Sequence, residues 1–359
     1  MKRKIRAFDP PVSARAGLIA KTAIVSGPPA RTTVSRGAGL ALAALVLAAV
    51  AAGCAAAPAL RPAAPSPHAA ARPAGANRAV SKSQASAKTA AATCTPDAAS
   101  LAPAGPPVVT PGSYMATIKK QGYLIAGVDQ STYHFGYLNP LDGQIEGFDI
   151  DMIRAVAKAI FGNADKVEFK SISDAQRIPA ITSGSVDIVA HTMTITCQRL
   201  TQVDFSSVYF DAHQRVLVPD NVVAPGGLAD LGGQKVCATT GSDSVNTIED
   251  YPVRPKITAV QVPFWTDCLV LLQQDQVAAI STDDAILYGL AAQDPFTKVV
   301  GPSLEDEPYG LAMSKQHPDF VRFVNAVLAQ EESDGAWEAS YKHWVNAAGE
   351  TPPVPRYAS

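Results

Sequence analysis

The sequence predicts a two-lobed α/β protein with a cleft between the lobes, and three observations point there. Two stretches, 123–194 and 234–293, alternate short apolar β runs with amphipathic helices. That alternation is the pattern of a parallel sheet covered by helices on both faces. Two extended runs, RVLVPD (215–220) and EPYGLAMSK (307–315), cross between the units. With 359 residues, 47% hydrophobic and 17% charged, the chain is long and apolar enough for a divided core. Ligands of such sheets sit beyond the carboxyl ends of the strands, so the cleft is where a site is expected.

The elements follow in order. After a Pro/Gly-rich lead-in at 102–112, SYMATIKKQG reads as a short helix and Tyr123–Val128 as a β run. In GFDIDMIRAVAKAIFG (147–162), Ile153, Val156, Ala157 and Ile160 recur at helical spacing, with Asp149 or Asp151 as a cap and Gly162 as a stop. VEFKSI (167–172) is a strand, SDAQRIPAITSG (173–184) a short helix closed by Gly184, and VDIVAHTMT (186–194) a strand. The second unit repeats the scheme. QKVCATTG (234–241), ITAVQVP and VAAISTDD are strands, while SVNTIEDY, TDCLVLLQQDQ and AILYGLAAQ are helices; two further helices end the chain.

The first ninety residues speak of location. Residues 1–54 hold eight Lys/Arg and one acid, Asp9, and 55–93 add five basic residues and no acidic one. The remaining body therefore carries 17 basic and 31 acidic residues. Nucleic acid is a poor partner for so acidic a body. The run GLALAALVLAAVAAG ends at Cys54; it is short for a bilayer span and of the length of a signal-peptide core. Small residues before Cys54 resemble a bacterial lipoprotein signal, in which the Cys is lipidated, although Ala51 stands where Leu is usual. The Ala/Pro/Ser-rich stretch after Cys54 has no aromatic residue and no apolar period, and is expected to be a flexible tether. Four cysteines remain, Cys94, Cys197, Cys237 and Cys268. In an exported chain an even number suggests disulfides, with three possible pairings. They show no metal-ligand spacing, and no metal or cofactor is expected.

From about 112 to 347 the chain resembles the extracellular solute-binding proteins of family 3, receptors for polar amino acids in ABC importers. Six short motifs carry the resemblance in order: GVDQSTYHFGY, GFDID, RIPAITSGSVDIV, TMTITCQR followed by VDFSSVYF, ATTGSDS, and VAAISTDDAI. Within that family the chain is most similar to actinobacterial glutamate/aspartate-type binding lipoproteins. The resemblance implies a type II periplasmic-binding-protein clamshell, its doubly wound sheets joined by two hinge strands. The expected layout is a signal peptide over 1–53, a tether over 54–107, one lobe over 108–216, a second over 217–308, and a return to the first over 309–359. Cys237 and Cys268 fall on adjacent elements of the second lobe and are expected to pair, leaving Cys94 for Cys197.

A free amino acid presents a carboxylate and an ammonium, and burying either unpaired costs several kcal/mol. Arg199 follows Thr194 by five residues, so guanidinium and hydroxyl can meet one carboxylate. The resemblance implies that these two hold the ligand's α-carboxylate, with Thr192 adding a contact; the alternative is an ion pair of Arg199 with Asp204. It places Asp283 on the α-ammonium, against an N-cap role for which Asp284 competes. Thr282 and the turn Thr240–Gly241–Ser242 are expected to add contacts, the turn through backbone N–H groups that favour an anion. Arg177 matches a family Arg that selects acidic and some other polar side chains, against a solvated Arg at a helix start. His191 is a weaker candidate for the distal group. Tyr133, Phe135 and Tyr137 are expected to wall the ligand's stem, and Asp129 is a further candidate for the ammonium.

The expected function is a monomeric receptor outside the cytoplasm, lipid-anchored to the membrane, that delivers glutamate or aspartate, or asparagine or glutamine, to a permease. A sensor feeding a membrane signalling protein is the alternative. A dehydratase-like enzyme is a remote one, because the motifs supply binders but no matched acid–base pair.

Overall fold

The computed structural model describes residues 94–345 and 352–358; Cys54 and the expected signal peptide lie outside the described residues. The first lobe forms where the β-α-β pattern places it. Leu124–Val128 lies between Val167–Ser171 and Ile188–Ala190, parallel to both. Ala312–Met313 joins this sheet antiparallel to Ile188–Ala190, and Asp204–Phe205 pairs antiparallel with Ala312–Met313 at the edge, so the returning chain completes the lobe in which the body began. Helix Phe148–Phe161 buries Phe148, Met152, Ile153, Val156 and Ile160, at spacings of three and four, and ends at Gly162 in the left-handed conformation.

The second lobe repeats the plan. Lys235–Thr239 lies between parallel Thr258–Val262 and Ala279–Asp283. Phe210–Pro219 runs antiparallel beside Ala279–Asp283, and Thr297–Val300 closes the edge. Phe210–Pro219 also pairs with Asp306–Tyr309, so the two crossings between the lobes are neighbouring antiparallel strands. One apolar cluster gathers around Leu124, Ile153 and Val324, another around Leu217, Leu228 and Leu287. Each lobe thus has a core of its own, and two paired strands can flex without breaking either. Among the described residues no helix is long and apolar enough to cross a membrane.

Four local differences from expectation have physical reasons. The strand expected over 186–194 leaves the sheet at Ala190, because Thr192 takes a positive φ of 42° and turns the chain. The first loop folds into a small three-stranded sheet, with Ser131 opposite Tyr137 and Tyr137 opposite Glu146. Thr297–Val300 is a strand that apolar pattern alone did not single out. The tether was expected to run to residue 107, yet residues near Ser100 are built into the first lobe. The Ser100 hydroxyl donates to Phe205 O at 2.8 Å, and Asn325 Nδ2 donates to Ser100 Oγ at 2.7 Å and Leu101 O at 2.6 Å. These bonds satisfy buried polar groups, which a solvated tether would not need. Cys94 is bonded to Cys197, and Cys237 to Cys268, the pairing that lobe membership suggested.

Candidate functional site

The turn at Thr192 builds the first wall. Asp149, at the start of its helix, accepts from Thr192 N at 2.8 Å and from the Tyr209 hydroxyl at 2.5 Å. Thr192 Oγ1 is buried with no hydrogen-bond partner among the described residues. Thr196 then caps the helix Cys197–Leu200 by accepting from Arg199 N, and Arg199 Nη1 folds back onto Thr194 O at 2.7 Å.

Arg199 is only 8% exposed, yet among the described residues no carboxylate lies within ion-pair distance of it. Asp204, its alternative partner, pairs with Lys315 at 3.2 Å instead. Burial and the nearby Arg177 guanidinium bring Arg199 down to about 10, while Asp243, Asp174 and Glu307 oppose them. A buried guanidinium that bonds only carbonyls is costly and favours the arrival of an anion.

Arg177 is different. It is neither solvated nor free: its guanidinium meets Asp174 at 2.8 Å, and its Nε and Nη1 donate to Asp174 O and His191 O. Asp174 also accepts from the Thr239 hydroxyl of the second lobe. Burial works to raise Asp174, but Arg177, His191 and Thr239 outweigh it and hold the carboxylate below its usual range.

The second lobe meets these groups through Gly241. Its carbonyl accepts from Arg177 Nη2 at 3.2 Å and from Arg199 Nη2 at 3.3 Å. The turn was expected to offer N–H groups; toward the guanidinium groups it offers an acceptor. Gly241 has φ +89°, and a Cβ there would lie 2.7 Å from Ala175 Cα and 2.9 Å from Ala175 N. Gly241→Ala should therefore hold the lobes apart. At about 1–3 kcal/mol of strain, affinity should fall roughly 5- to 150-fold, and ligand should no longer compact the protein in solution scattering.

Asp283 ends the strand Ala279–Asp283 and is 5% exposed. It makes no side-chain cap bond; Asp284 accepts from Ala285 N and His213 N instead. Asp283 Oδ2 accepts from the Tyr309 hydroxyl at 2.6 Å. Burial, with a smaller push from Asp284, raises Asp283 to about 7 against the Tyr309 bond and the two arginines. Glu307, 1% exposed on a crossing strand, lies 2.5 Å from Thr194 Oγ1. Burial and then Asp283 push it up to about 9.

Between the lobes remains a cavity of about 10 Å³, room for about one water. Asp174, Arg177, Thr192, Thr194 and Arg199 line it on one side, and Ser242, Asp243, Ser244, Trp265, Thr282, Asp283 and Ile286 on the other. The lobes are thus closed upon one another. Of the residues expected at the site, Arg199, Thr194, Thr192, Arg177, Asp283, Thr282 and Ser242 come together at this cavity, with Gly241 beside it.

Three of the expectations fall away from this cavity. Asp129 spends its carboxylate on its own loop, accepting from Gln130 N, Ser131 N, Ser131 Oγ and the Thr132 hydroxyl. Tyr133 packs on Tyr137 and sets its carbonyl against Gly289, while Phe135 is core; none of the three aromatics lines the cavity. Trp265 and Ile286 supply the apolar wall in their place. His191 turns its ring nitrogens to Asp174 and Ile172 O rather than to the cavity. Sequence reasoning missed Asp174, Asp243, Trp265 and Glu307. For Asp174 a signal existed, since an acid three residues before an Arg can pair with it on one helix face.

Residues 124–347 match the model of the bacterial extracellular solute-binding proteins, family 3. The chain is 37% identical over 232 residues to an ABC transporter glutamine-binding protein of Bacillus subtilis, covering 64% of this chain and 84% of that one. It is 29% identical over 230 residues to a glutamate-binding protein of Corynebacterium efficiens, covering 61% and 77%. Among solved structures it is similar to an ancestral arginine-binding protein bound to glutamine, with TM-score 0.59 and 33% identity over 63% of this chain and 99% of that one. Motif order, two-lobed fold and a site at the lobe junction agree with the match over most of the body: this chain belongs to the bacterial extracellular solute-binding proteins, family 3.

Proposed function

We propose that the protein is a receptor that closes on a polar amino acid outside the cytoplasm and delivers it to an ABC importer, tethered to the membrane through Cys54. The observation that carries this reading is the buried Arg199 guanidinium without a carboxylate partner, facing Asp283 across a closed cleft. A zwitterion supplies both missing charges, its carboxylate replacing the Gly241 carbonyl at Arg199 and its ammonium meeting Asp283. Two disulfides suit an oxidising compartment. The relatives named above are binding proteins, one of them an ABC transporter component.

The side chain of the ligand is read from Arg177. A free guanidinium would favour a distal carboxylate, as the sequence suggested; Asp174 already neutralises this one, and Asp243 adds a second acid to the wall. An uncharged amide therefore fits better than an acid, and glutamine or asparagine is the proposed ligand. A calorimetric screen of the twenty amino acids tests this. Glutamine or asparagine should bind at least about tenfold more tightly than the matching acid, a difference of about 1.4 kcal/mol. Asp174→Asn, which frees Arg177, should narrow or reverse the preference. A wild-type preference for glutamate or aspartate would refute the amide assignment.

A further inference from the structure

Glu307 is buried to 99% on the crossing strand Asp306–Tyr309, and among the described residues no cation pairs with it. One of its oxygens, Oε1, has no hydrogen-bond partner, while the other lies 2.5 Å from Thr194 Oγ1. Carboxylate oxygens of Asp243, Glu305 and Glu307 stand within 4.8 Å of one another. Three acids so close, one of them fully buried, cannot all ionise without a cation, and the buried member is the one that keeps its proton.

We propose that Glu307 is a positioning residue: as the neutral acid it donates its O–H to Thr194 Oγ1, which turns the Thr194 hydroxyl proton toward the ligand's carboxylate. Once Glu307 ionises, Thr194 must donate to it instead, and the hydroxyl presents a lone pair to that carboxylate. The proton on Glu307 thus sets the sign of a contact made by another residue. This inference rests on the reading of Arg199 and Thr194 as the carboxylate subsite.

The groups facing Glu307 are Asp283 and Tyr309 near the cleft, Asp243 at the start of helix Ser244–Asp250, Arg199 on its short helix, and Glu305 on its own segment. Asp211 and His213 flank Ala212, its partner on the neighbouring strand. Burial, Asp283 and Asp243 all raise Glu307, to about 9, and only Thr194 and Arg199 oppose them. The neutral acid therefore persists through neutral pH. A bound carboxylate raises the group further, so affinity is full below about 9 and falls as pH rises through that value.

The test is the affinity of wild type, Glu307→Gln and Glu307→Ala for the tightest-binding of the twenty amino acids, by calorimetry from pH 6 to 10. Gln keeps a donor to Thr194 Oγ1 but has no proton to lose. It should match wild type within a few-fold at pH 7.5 and lose about tenfold less affinity than wild type between pH 8 and 10. Titration of the ligand's own ammonium is common to both proteins and cancels in the comparison. Glu307→Ala should bind about tenfold more weakly at pH 7.5. Superimposable wild-type and Gln profiles, with intact binding, overturn the inference alone. A wild type that binds no amino acid removes the reading of the site and this inference with it.

Discussion

Arg199→Ala should weaken the binding of every amino acid tested, by roughly 30- to 5,000-fold, with no change in their rank order. The range corresponds to about 2–5 kcal/mol for removing one partner of a buried charge pair. Rank order should be kept because the contact proposed for Arg199 is to the α-carboxylate, which all of them share. Measured without added amino acid, the same change should leave stability at the wild-type level or above it, since it deletes a buried charge that has no carboxylate partner among the described residues. Arg177→Ala should do the opposite. It strands buried Asp174 and should cost about 3–5 kcal/mol of stability. Chemical denaturation of the two variants beside their calorimetry separates the roles. If Arg199→Ala is the strongly destabilised variant, or binds as tightly as wild type, Arg199 is a structural residue.

Asp283→Asn should match that loss of affinity, because in the proposed reading its carboxylate meets the ammonium. The wild type should also show the charge as a pH dependence. In the closed arrangement burial raises Asp283 to about 7. A bound ammonium favours the ionised form and lowers that value, so binding requires the proton to leave. Affinity should therefore be full above about pH 7 and fall as pH drops through it, approaching tenfold per unit until the lower value of the complex is reached. Asp283→Asn should flatten this acid limb. An acid limb that survives in the Asn variant would assign the titration elsewhere.

The ionisation of Asp283 and that of Glu307 belong to one arrangement. Asp283 is among the groups that raise Glu307, and it bonds Tyr309 on the crossing strand Asp306–Tyr309 that carries Glu307. Affinity should therefore peak between the two values. Asp283 and Arg199 line one cavity from opposite lobes, so the two charges proposed to bind the ligand face each other across the junction.

Much of the architecture could be read from the order of residues. The two β-α-β units, the crossings and both disulfide pairs follow from patterns of period two and near four, from Gly stops, and from which cysteines share a lobe. Arg199 and Thr194 could be joined in advance because they lie five positions apart, with Arg199 on a one-turn helix just after Thr194. Their meeting is a local matter, decided by Thr196 capping the turn. Spacing failed where partners are distant in the chain. Glu307 reaches Thr194 across 113 residues, and Gly241 reaches Arg177 across 64. Nothing in local composition says that Gly241 turns its carbonyl, rather than its N–H, toward a guanidinium. Asp174 was near enough to Arg177 to be suspected, but the weight proposed for it in selectivity depends on both being buried where the lobes meet, with Thr239 of the other lobe completing the pair. Periodicity reports which face of an element is apolar; which buried charges find partners depends on long-range closure, where desolvation makes each unpaired group costly.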